Sequence, residues 1–174
     1  SMGLVYARSM LGIENPRVGL MNIGSEEGKG TDLYRETHAL LVKSPIHENY
    51  IGNVEGRDVY HGDVHVIICE GFVGNVILKV SEGMAEFLLK TVGKAMMKNL
   101  SAERELAEQT LDSVTDQFQY QESGGAPLLG IDGICIICHG SSDHRSIRNA
   151  LRMATEIDNH HINSQISDLL AQGE

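Results

Sequence analysis

The sequence predicts an α/β fold built on a doubly wound, mostly parallel β-sheet. Three observations lead to this prediction: short apolar runs of strand length, glycine-rich loops that follow them, and amphipathic segments of helix length after the loops. Glycine accounts for 19 of the 174 residues, about 11% where roughly 7% is typical. These glycines stand at the ends of apolar runs, where an α/β fold turns a strand into a helix.

The composition is that of one soluble domain with an acidic surface. The chain has 14 Lys and Arg against 24 Asp and Glu, so its formal net charge is −10. This charge argues against non-specific binding to nucleic acid, which needs a basic surface. No apolar run approaches the roughly 18 residues of a membrane span. Three cysteines, an odd number inside strand-like runs, favour a reduced, cytoplasmic protein over a disulfide framework.

The first part of the chain alternates between helices and strands, with Pro16 and Pro45 interrupting the periodicity. In chain order we predict a helix over 3–11, a strand over 18–23, a loop over 24–30, a helix from Thr31 or Asp32 to about Lys43, and strands over 50–54 and 64–69. The strand over 64–69 is β-branched and apolar enough to lie at the centre of a parallel sheet.

The second part of the chain begins with two long helices, which predict a helical hairpin over about 75–118. The predicted elements are a loop over 71–74, a helix over 75–99, a helix capped by Ser101, a glycine- and proline-bounded link over 124–130 and a strand over 134–138. A long helix follows, capped by Ser141 or Ser142, through Ala154 and on towards Leu170.

Three strand-to-helix loops are predicted to meet at one edge of the sheet, because the carboxyl ends of parallel strands lie together. The loops are 22–24 with Lys29, 70–75 and 139–142. Each leads to a helix N-terminus, whose free N–H groups and positive dipole end favour anions. We therefore expect a phosphate-bearing ligand; the alternative is that the loops only turn the chain.

Two short motifs invite other functions, and we reject both. The stretch Gly24 to Thr31 has only three residues before its Gly-Lys pair, where a Walker A motif needs four. Cys135 and Cys138 with His139 have the spacing of a c-type haem site, yet the two thiols lie on opposite faces of a strand. We interpret both matches as coincidence. No metal site and no cofactor is predicted, since the histidines lack a spaced partner set.

Charged side chains suggest a proton donor and two basic stripes. His139, at the carboxyl end of a strand that we expect to be buried, is placed either to donate a hydrogen bond or proton to a reacting oxygen or simply to pack there. Helical spacing aligns the basic residues Lys90, Lys94 and Lys98, and likewise Arg145, Arg148 and Arg152. Such stripes are either solvated faces or landing sites for an acidic partner or anionic lipid head groups.

Five stretches together resemble phosphate acyltransferases of the PlsX type. They are 11–24 (LGIENPRVGLMNIG), 50–58 (YIGNVEGRD), 71–76 (GFVGNV) with 81–83 (SEG), 124–130 (GGAPLLG) and 139–143 (HGSSD). The resemblance covers residues 3–155 in order. Members of this family move an acyl chain from acyl carrier protein to inorganic phosphate in bacterial phospholipid synthesis.

The resemblance implies a fold similar to the isocitrate and isopropylmalate dehydrogenases and to phosphotransacetylases, with the helical hairpin protruding. Family members are about twice as long, so 3–155 is expected to be a carboxyl-terminal part of the α/β domain. Residues 156–174 lie beyond the match and are expected to form a helical tail, and Ser1-Met2 has the look of a cloning remnant.

The resemblance and the loop positions together define candidate site residues. The catalytic candidates are Lys29, Asn75 and His139. The candidates for binding phosphate and substrate are Asn22, Gly24, Asn53, Glu55, Glu70, Gly71, Gly74, Gly140, Ser141 and Ser142. Glu70 stands where the family usually has Asp, so the carboxylate is displaced by one methylene and its role is open.

The partners expected from the resemblance are acyl carrier protein and inorganic phosphate, with phosphate attacking the thioester directly. Apolar residues and the lysine stripe on the hairpin favour a homodimer interface or peripheral contact with an anionic membrane, and ordinary core packing is the other interpretation of these apolar residues. Two alternatives stay open: a short-chain phosphate acetyl- or butyryltransferase that acts on CoA thioesters, and a non-catalytic dimerisation or membrane-docking module. The chain alone is expected to be inactive, because it would lack part of the site.

Overall fold

The computed structural model of the chain describes residues 1–100, 103–122, 124–140 and 142–171, and for 116–122 the backbone alone. Two units make up the chain. The first comprises Ser1–Glu70, Pro127–Ile136 and Arg152–Glu174, and the second Gly71–Ala126 and Ile137–Leu151. Ser101, Ser141 and the last residues of the predicted tail, 172–174, lie outside the described residues.

The chain alternates between helices and short strands, as the glycines at the ends of apolar runs predict. The helices are α1 (Met2–Leu11), α2 (Asp32–Leu41), α3 (Gly71–Asn99), α4 (Arg104–Glu122), α5 (His144–Asn159) and α6 (Ile162–Ala171). The strands are β1 (Val18–Met21), β2 (Tyr50–Val54), β3 (Val66–Ile68), β4 (Ala126–Pro127) and β5 (Ile136–Ile137), and a 3-10 turn spans Gly56–Tyr60. The α/β class is therefore confirmed.

A three-stranded parallel sheet in the order β2-β1-β3 organises the first unit. All four residues of β1 are buried, whereas those of β3 are half-buried. The prediction that the 64–69 strand is central is therefore wrong within this sheet, where β1 is the middle strand. Gly19 allows the close pairing, since a Cβ there would lie 2.5 Å from Val54 Cγ1.

Helix α1 joins two clusters of buried side chains in the first unit. Leu4 packs with Val18, the first residue of β1, and with Ile46. Its neighbour Val5 packs in a second cluster, whose other buried members are Ile157, Ile162 and Ile166. Residues from 156 onwards were expected to form a tail, but their isoleucines complete this core.

The long carboxyl-terminal helix predicted from residue 142 is broken into two. Helix α5 ends at Asn159 and α6 begins at Ile162, with His161 between them at φ 51°. A left-handed residue cannot continue a right-handed helix. Ile162 is fully buried, so the break turns α6 back onto the core.

The cap of α5 is Asp143, and the predicted cap Ser142 does not fill that role. One carboxylate oxygen of Asp143 accepts hydrogen bonds from the backbone N–H of Ser146 at 2.8 Å and of Arg145 at 3.0 Å. These bonds, that of Ser146 first, hold the pKa of the Asp143 carboxyl below its usual value. An aspartate two or three residues before free N–H groups is a strong N-cap.

The second unit contains the predicted helical hairpin. Helix α3 packs along α4, and a Cβ on Gly93 would lie 3.3 Å from Leu111 Cδ1, so this glycine lets the helices approach. Helix α3 begins at Gly71, four residues earlier than predicted. The stretch 71–74 is therefore the first turn of a helix and not a loop, because isolated glycines weaken a helix without preventing it.

The strand predicted over 134–138 is reduced to β5 and pairs with β4 in a separate two-stranded sheet. The N–H of Leu128 donates to the carbonyl of Cys135 at 2.8 Å, next to this pair. A partner from the preceding link thus replaces the parallel neighbour that the sequence predicted. Consequently the third repeat of strand, loop and helix adds nothing to the parallel sheet among the described residues.

Removing buried volume from the second cluster tests the core assignment. We expect Ile162→Ala to lower the free energy of unfolding by about 2–5 kcal/mol, because the side chain is fully buried. The control Leu40→Ala removes a side chain that is 70% exposed and should change it by less than about 0.5 kcal/mol. Urea denaturation followed by circular dichroism measures both; similar losses in the two variants would contradict the assignment.

The Asp143 cap should make the start of α5 sensitive to acid. Because its pKa is lower in the folded chain than in the unfolded chain, its stabilisation is present above the unfolded pKa and is lost as the pH falls through the folded pKa. We expect the amide resonance of Ser146 to titrate in that acidic range in an NMR experiment. Asn retains the capping oxygen without the charge, so the titration of the Ser146 amide should vanish in Asp143→Asn. A titration that persists in this variant would contradict the assignment of Asp143 as the titrating cap.

Candidate functional site

The loop over 24–30 follows β1 and is held by two asparagines. Asn22 lies directly after β1, and Asn53 lies in β2, where it pairs with Leu20. The side chains are only 9% and 8% exposed. Asn53 Nδ2 donates to the carbonyl of Glu26 at 2.8 Å, and Asn22 Nδ2 donates to the carbonyl of Lys29 at 3.1 Å. Both side chains therefore bind loop backbone.

Lys29 is the cation of this loop. Its Nζ lies 3.7 Å from a carboxylate oxygen of Glu26, and its side chain is 47% exposed. The stem of Lys29 passes over Gly24, where a Cβ would lie 3.0 Å from Lys29 Cγ and 2.7 Å from Glu26 Oε2. Gly24 thus provides the space in which the ammonium group and its carboxylate partner meet.

The end of the loop depends on a second glycine. Gly30 adopts a φ of +85°, and a Cβ there would lie 2.7 Å from Asn22 Oδ1. Arg35 in α2 donates to the Gly30 carbonyl at 2.6 Å and is paired with Asp32. The sequence reasoning missed Arg35; the signal was a basic residue in the first turns of a helix that follows a glycine loop.

One buried polar atom beside the loop has no partner in the described part of the chain. Asn53 Oδ1 accepts no hydrogen bond there, although its Nδ2 is bound to Glu26. Leaving a buried acceptor unpaired costs about 1–3 kcal/mol. The atom can accept a hydrogen bond from a donor group.

Glu55 was predicted to line the cleft, and its carboxylate serves local structure. The Glu55 side chain and Asp58 form a reciprocal capping box around the 3-10 turn. Arg57 also donates to a Glu55 carboxylate oxygen at 2.9 Å. These contacts orient the segment after β2.

An open cleft of about 160 Å³ lies between α2 and the carboxyl ends of β1 and β3. It is mostly apolar, with Glu70 contributing a carboxylate. The lining residues are Leu20, Leu33, Tyr34, Thr37, Ile68, Cys69 and Glu70. Burial, followed by the charge of Glu70, raises the pKa of the Cys69 thiol. The thiol is protonated at neutral pH and is therefore a poor nucleophile.

The remaining candidates of the 70–75 loop lie in the second unit. Gly71 is the first residue of α3, so Gly74 falls in its first turn and Asn75 in the next. No acidic residue stands in this first turn. Glu70 directly precedes the helix, so a carboxylate-bearing residue adjoins its first turn.

The residues after β5 also belong to the second unit. His139 and Gly140 are exposed, and Ser142 is half-buried. The carbonyl of His139 accepts a hydrogen bond from the Ser142 N–H at 3.0 Å. The expectation that His139 follows a buried strand is wrong, since Ile137 before it is 55% exposed. Ser141 lies outside the described residues.

The structure therefore unites Asn22, Gly24, Lys29 and Asn53 around one loop, with Glu70 in the same unit. Within the ranges that the structure describes, no three His, Cys, Asp or Glu side chains are placed to hold a metal ion. Across the same ranges, no helix combines the length and apolar character needed to cross a membrane.

The chain is similar in sequence to known proteins. Residues 1–165 match the family described as fatty acid synthesis protein. The phosphate acyltransferase of Geotalea uraniireducens is 44% identical over 173 residues, which is 98% of this chain and 49% of that protein. That of Syntrophotalea carbinolica is 48% identical over 95% of this chain and 48% of that protein.

A third phosphate acyltransferase, from Heliobacterium modesticaldum, is 49% identical over 89% of this chain and 46% of its own length. The chain thus spans about half the length of the curated relatives it matches. The resemblance recognised in the five sequence stretches is confirmed. Because the family match covers residues 1–165 and these relatives are 44% to 49% identical to the chain over the matched residues, this chain belongs to the fatty acid synthesis protein family.

Proposed function

We propose that the protein containing this chain transfers a fatty acyl group from acyl carrier protein to inorganic phosphate, forming acyl phosphate for phospholipid synthesis. The observation that carries the proposal is the match along almost the whole chain to proteins named phosphate acyltransferase. The ordered Lys29 loop supports it, because a fixed cation suits a phosphate substrate.

The reaction needs positioning and charge neutralisation more than a protein nucleophile. A phosphate oxygen attacks the thioester carbonyl carbon and the new C–O bond replaces the C–S bond. The carrier leaves as a thiol, taking up the proton that hydrogen phosphate loses when it becomes acyl phosphate. Lys29 neutralises charge on phosphate, and Asn75 and His139 supply hydrogen bonds to phosphate or to the developing oxyanion. The raised pKa of Cys69 favours this direct transfer over an acyl-cysteine intermediate.

We also propose that the complete protein has the doubly wound, dehydrogenase-like fold of phosphotransacetylases and works in the cytoplasm. The parallel sheet β2-β1-β3 is compatible with that fold. Free cysteines at positions 69, 135 and 138 accord with a reducing compartment.

The exposed apolar face of α3 supports a homodimer. Its large exposed side chains are Phe72, Val76, Leu78, Val80, Met84, Phe87, Leu88 and Val92. Contiguous exposed apolar residues mark an interaction surface. We propose that this face pairs with a second copy, and peripheral contact with an anionic membrane is the alternative, supported by the exposed Lys90, Lys94 and Lys98.

Removing the loop cation tests the proposed activity. We expect Lys29→Ala to lower phosphate-dependent release of the carrier thiol about 100-fold, since one lost charge contact to the transferred group costs this order of rate. Asn75→Ala should also lose activity. Thiol release by the complete gene product from acyl carrier protein is the measurement, and Lys43→Ala, a change of an exposed lysine, is the control.

Full activity in both Lys29→Ala and Asn75→Ala would contradict the site assignment. The same assay with acetyl- or butyryl-CoA in place of the carrier distinguishes the short-chain alternative. A preference for the CoA thioesters would show that they, and not acyl carrier protein, supply the acyl group.

A charge on the apolar face of α3 tests the homodimer. Phe87, whose side chain is 62% exposed, should be covered in a dimer, so Phe87→Glu is expected to convert dimer to monomer in a light-scattering concentration series. Leu40→Glu places the same charge on a leucine of α2 that is 70% exposed and should leave the mass unchanged.

An unchanged mass in Phe87→Glu would contradict the dimer proposal. Co-sedimentation with anionic liposomes at low and high salt then tests the alternative. Salt-sensitive binding that Phe87→Glu abolishes would assign the face to a membrane.

A further inference from the structure

We propose that Asn22 and Asn53 are positioning residues, which act on the reaction through the backbone of Lys29 and not by touching phosphate. This inference rests on the proposed function, because it gives the two amides a purpose only if Lys29 acts on the substrate. It changes the role expected from the family resemblance, in which both asparagines line the substrate cleft.

The two amides are held by the register of the sheet. Asn53 pairs with Leu20 across β1 and β2, and the N–H of Asn22 donates to the carbonyl of Val54 at 2.7 Å. Both side chains are about nine-tenths buried at the carboxyl ends of neighbouring strands. Their positions therefore follow from β-pairing and not from the flexible loop.

The backbone of the loop is anchored by these amides at two carbonyls, one three residues before Lys29 and one of Lys29 itself. The carbonyl of Glu26 accepts from Asn53 Nδ2 at 2.8 Å and also from the N–H of Lys29 at 3.1 Å. The carbonyl of Lys29 accepts from Asn22 Nδ2 at 3.1 Å. Asn53 thus acts on the turn that receives the lysine N–H, and Asn22 acts on the lysine itself.

The amide of Asn22 has little capacity left for a ligand. Its Oδ1 accepts from the N–H of Ile23 at 2.8 Å while its Nδ2 donates to Lys29. Gly30, which approaches Oδ1 closely, also closes off this side. A side chain so committed is better suited to holding the loop than to binding phosphate.

A fixed backbone improves a lysine as a phosphate ligand. The ammonium group sits on a flexible stem, and each rotor ordered on binding costs free energy. Anchoring the carbonyls of Glu26 and Lys29 holds the backbone of this turn and leaves the lysine side chain to be ordered. The ion pair with Glu26 and the packing of the stem over Gly24 restrict that side chain as well.

We call the two hydrogen bonds from Asn53 to the Glu26 carbonyl and from Asn22 to the Lys29 carbonyl the clamp. The chain provides a matched control for this clamp. Asn49 also donates its side-chain N–H to a backbone carbonyl, that of Pro16, at 3.1 Å. It precedes β2, at the opposite end of the strand from the loop. Substitution by Asp removes the donor at nearly constant shape, so Asn53→Asp, Asn22→Asp and Asn49→Asp differ mainly in position.

Hydrogen exchange followed by NMR measures the clamp without any activity. We expect the Lys29 amide to exchange about tenfold faster in Asn53→Asp and in Asn22→Asp, the effect of one lost hydrogen bond, and at the wild-type rate in Asn49→Asp. The corresponding Ala variants replace any Asp variant that does not fold. An unchanged Lys29 amide in both the Asn22 and Asn53 variants would overturn the proposal.

Kinetics of the complete gene product separate positioning from direct contact. We expect Asn53→Ala to lower kcat at saturating phosphate about tenfold, Asn49→Ala to leave it unchanged, and Asn53→Ala to add no loss in a Lys29→Ala background. Losses that multiply in the double variant would overturn the proposal, because Asn53 would then act independently of Lys29. Faster exchange together with a fully active Lys29→Ala would support the clamp and contradict the proposed function instead.

Discussion

The close parallel pairing of β1 with β2 is the constraint on which the first unit depends. Gly19 allows it, because any Cβ there would collide with Val54. The pairing sets the register in which Asn53 lies opposite Leu20 and Asn22 bonds to Val54. The carboxyl ends of parallel strands meet at one edge of a sheet, and here that edge carries two buried amides. The loop that bears Lys29 is built on those amides.

The two buried clusters of the first unit bring together side chains that are far apart in the sequence. Helix α1 contributes Leu4 to the cluster against β1 and Val5 to the cluster with α5 and α6. Ile162 and Ile166 come from the last described helix. Since α1 touches both clusters, a loss of packing at α6 is transmitted to the helix that covers the sheet.

The acidic charge of the protein makes a local cation necessary for the proposed reaction. With a net charge of −10, the chain as a whole repels phosphate, so the anion must be attracted at short range. In the proposed reaction Lys29 provides that charge, with a Glu26 carboxylate oxygen 3.7 Å from its Nζ. An exposed ion pair contributes little stability, so under this proposal phosphate displaces Glu26 at small cost. The proposed clamp then keeps the backbone of Lys29 in place when the partner of its ammonium group changes.

Local periodicity determined the elements whose residues bond to near neighbours. It predicted α1, α2, β1 and β2 closely, because apolar spacing, prolines and glycines act within a few residues. Loop position and family resemblance identified Asn22, Lys29 and Asn53 as site candidates. Only the tertiary structure decided which strand is central, that β5 pairs with β4, and that Asp143 caps α5. It also decided that both asparagines bind loop carbonyls. Hydrogen-bond partners distant in sequence are chosen by the packing of the whole chain, and no local pattern records that choice.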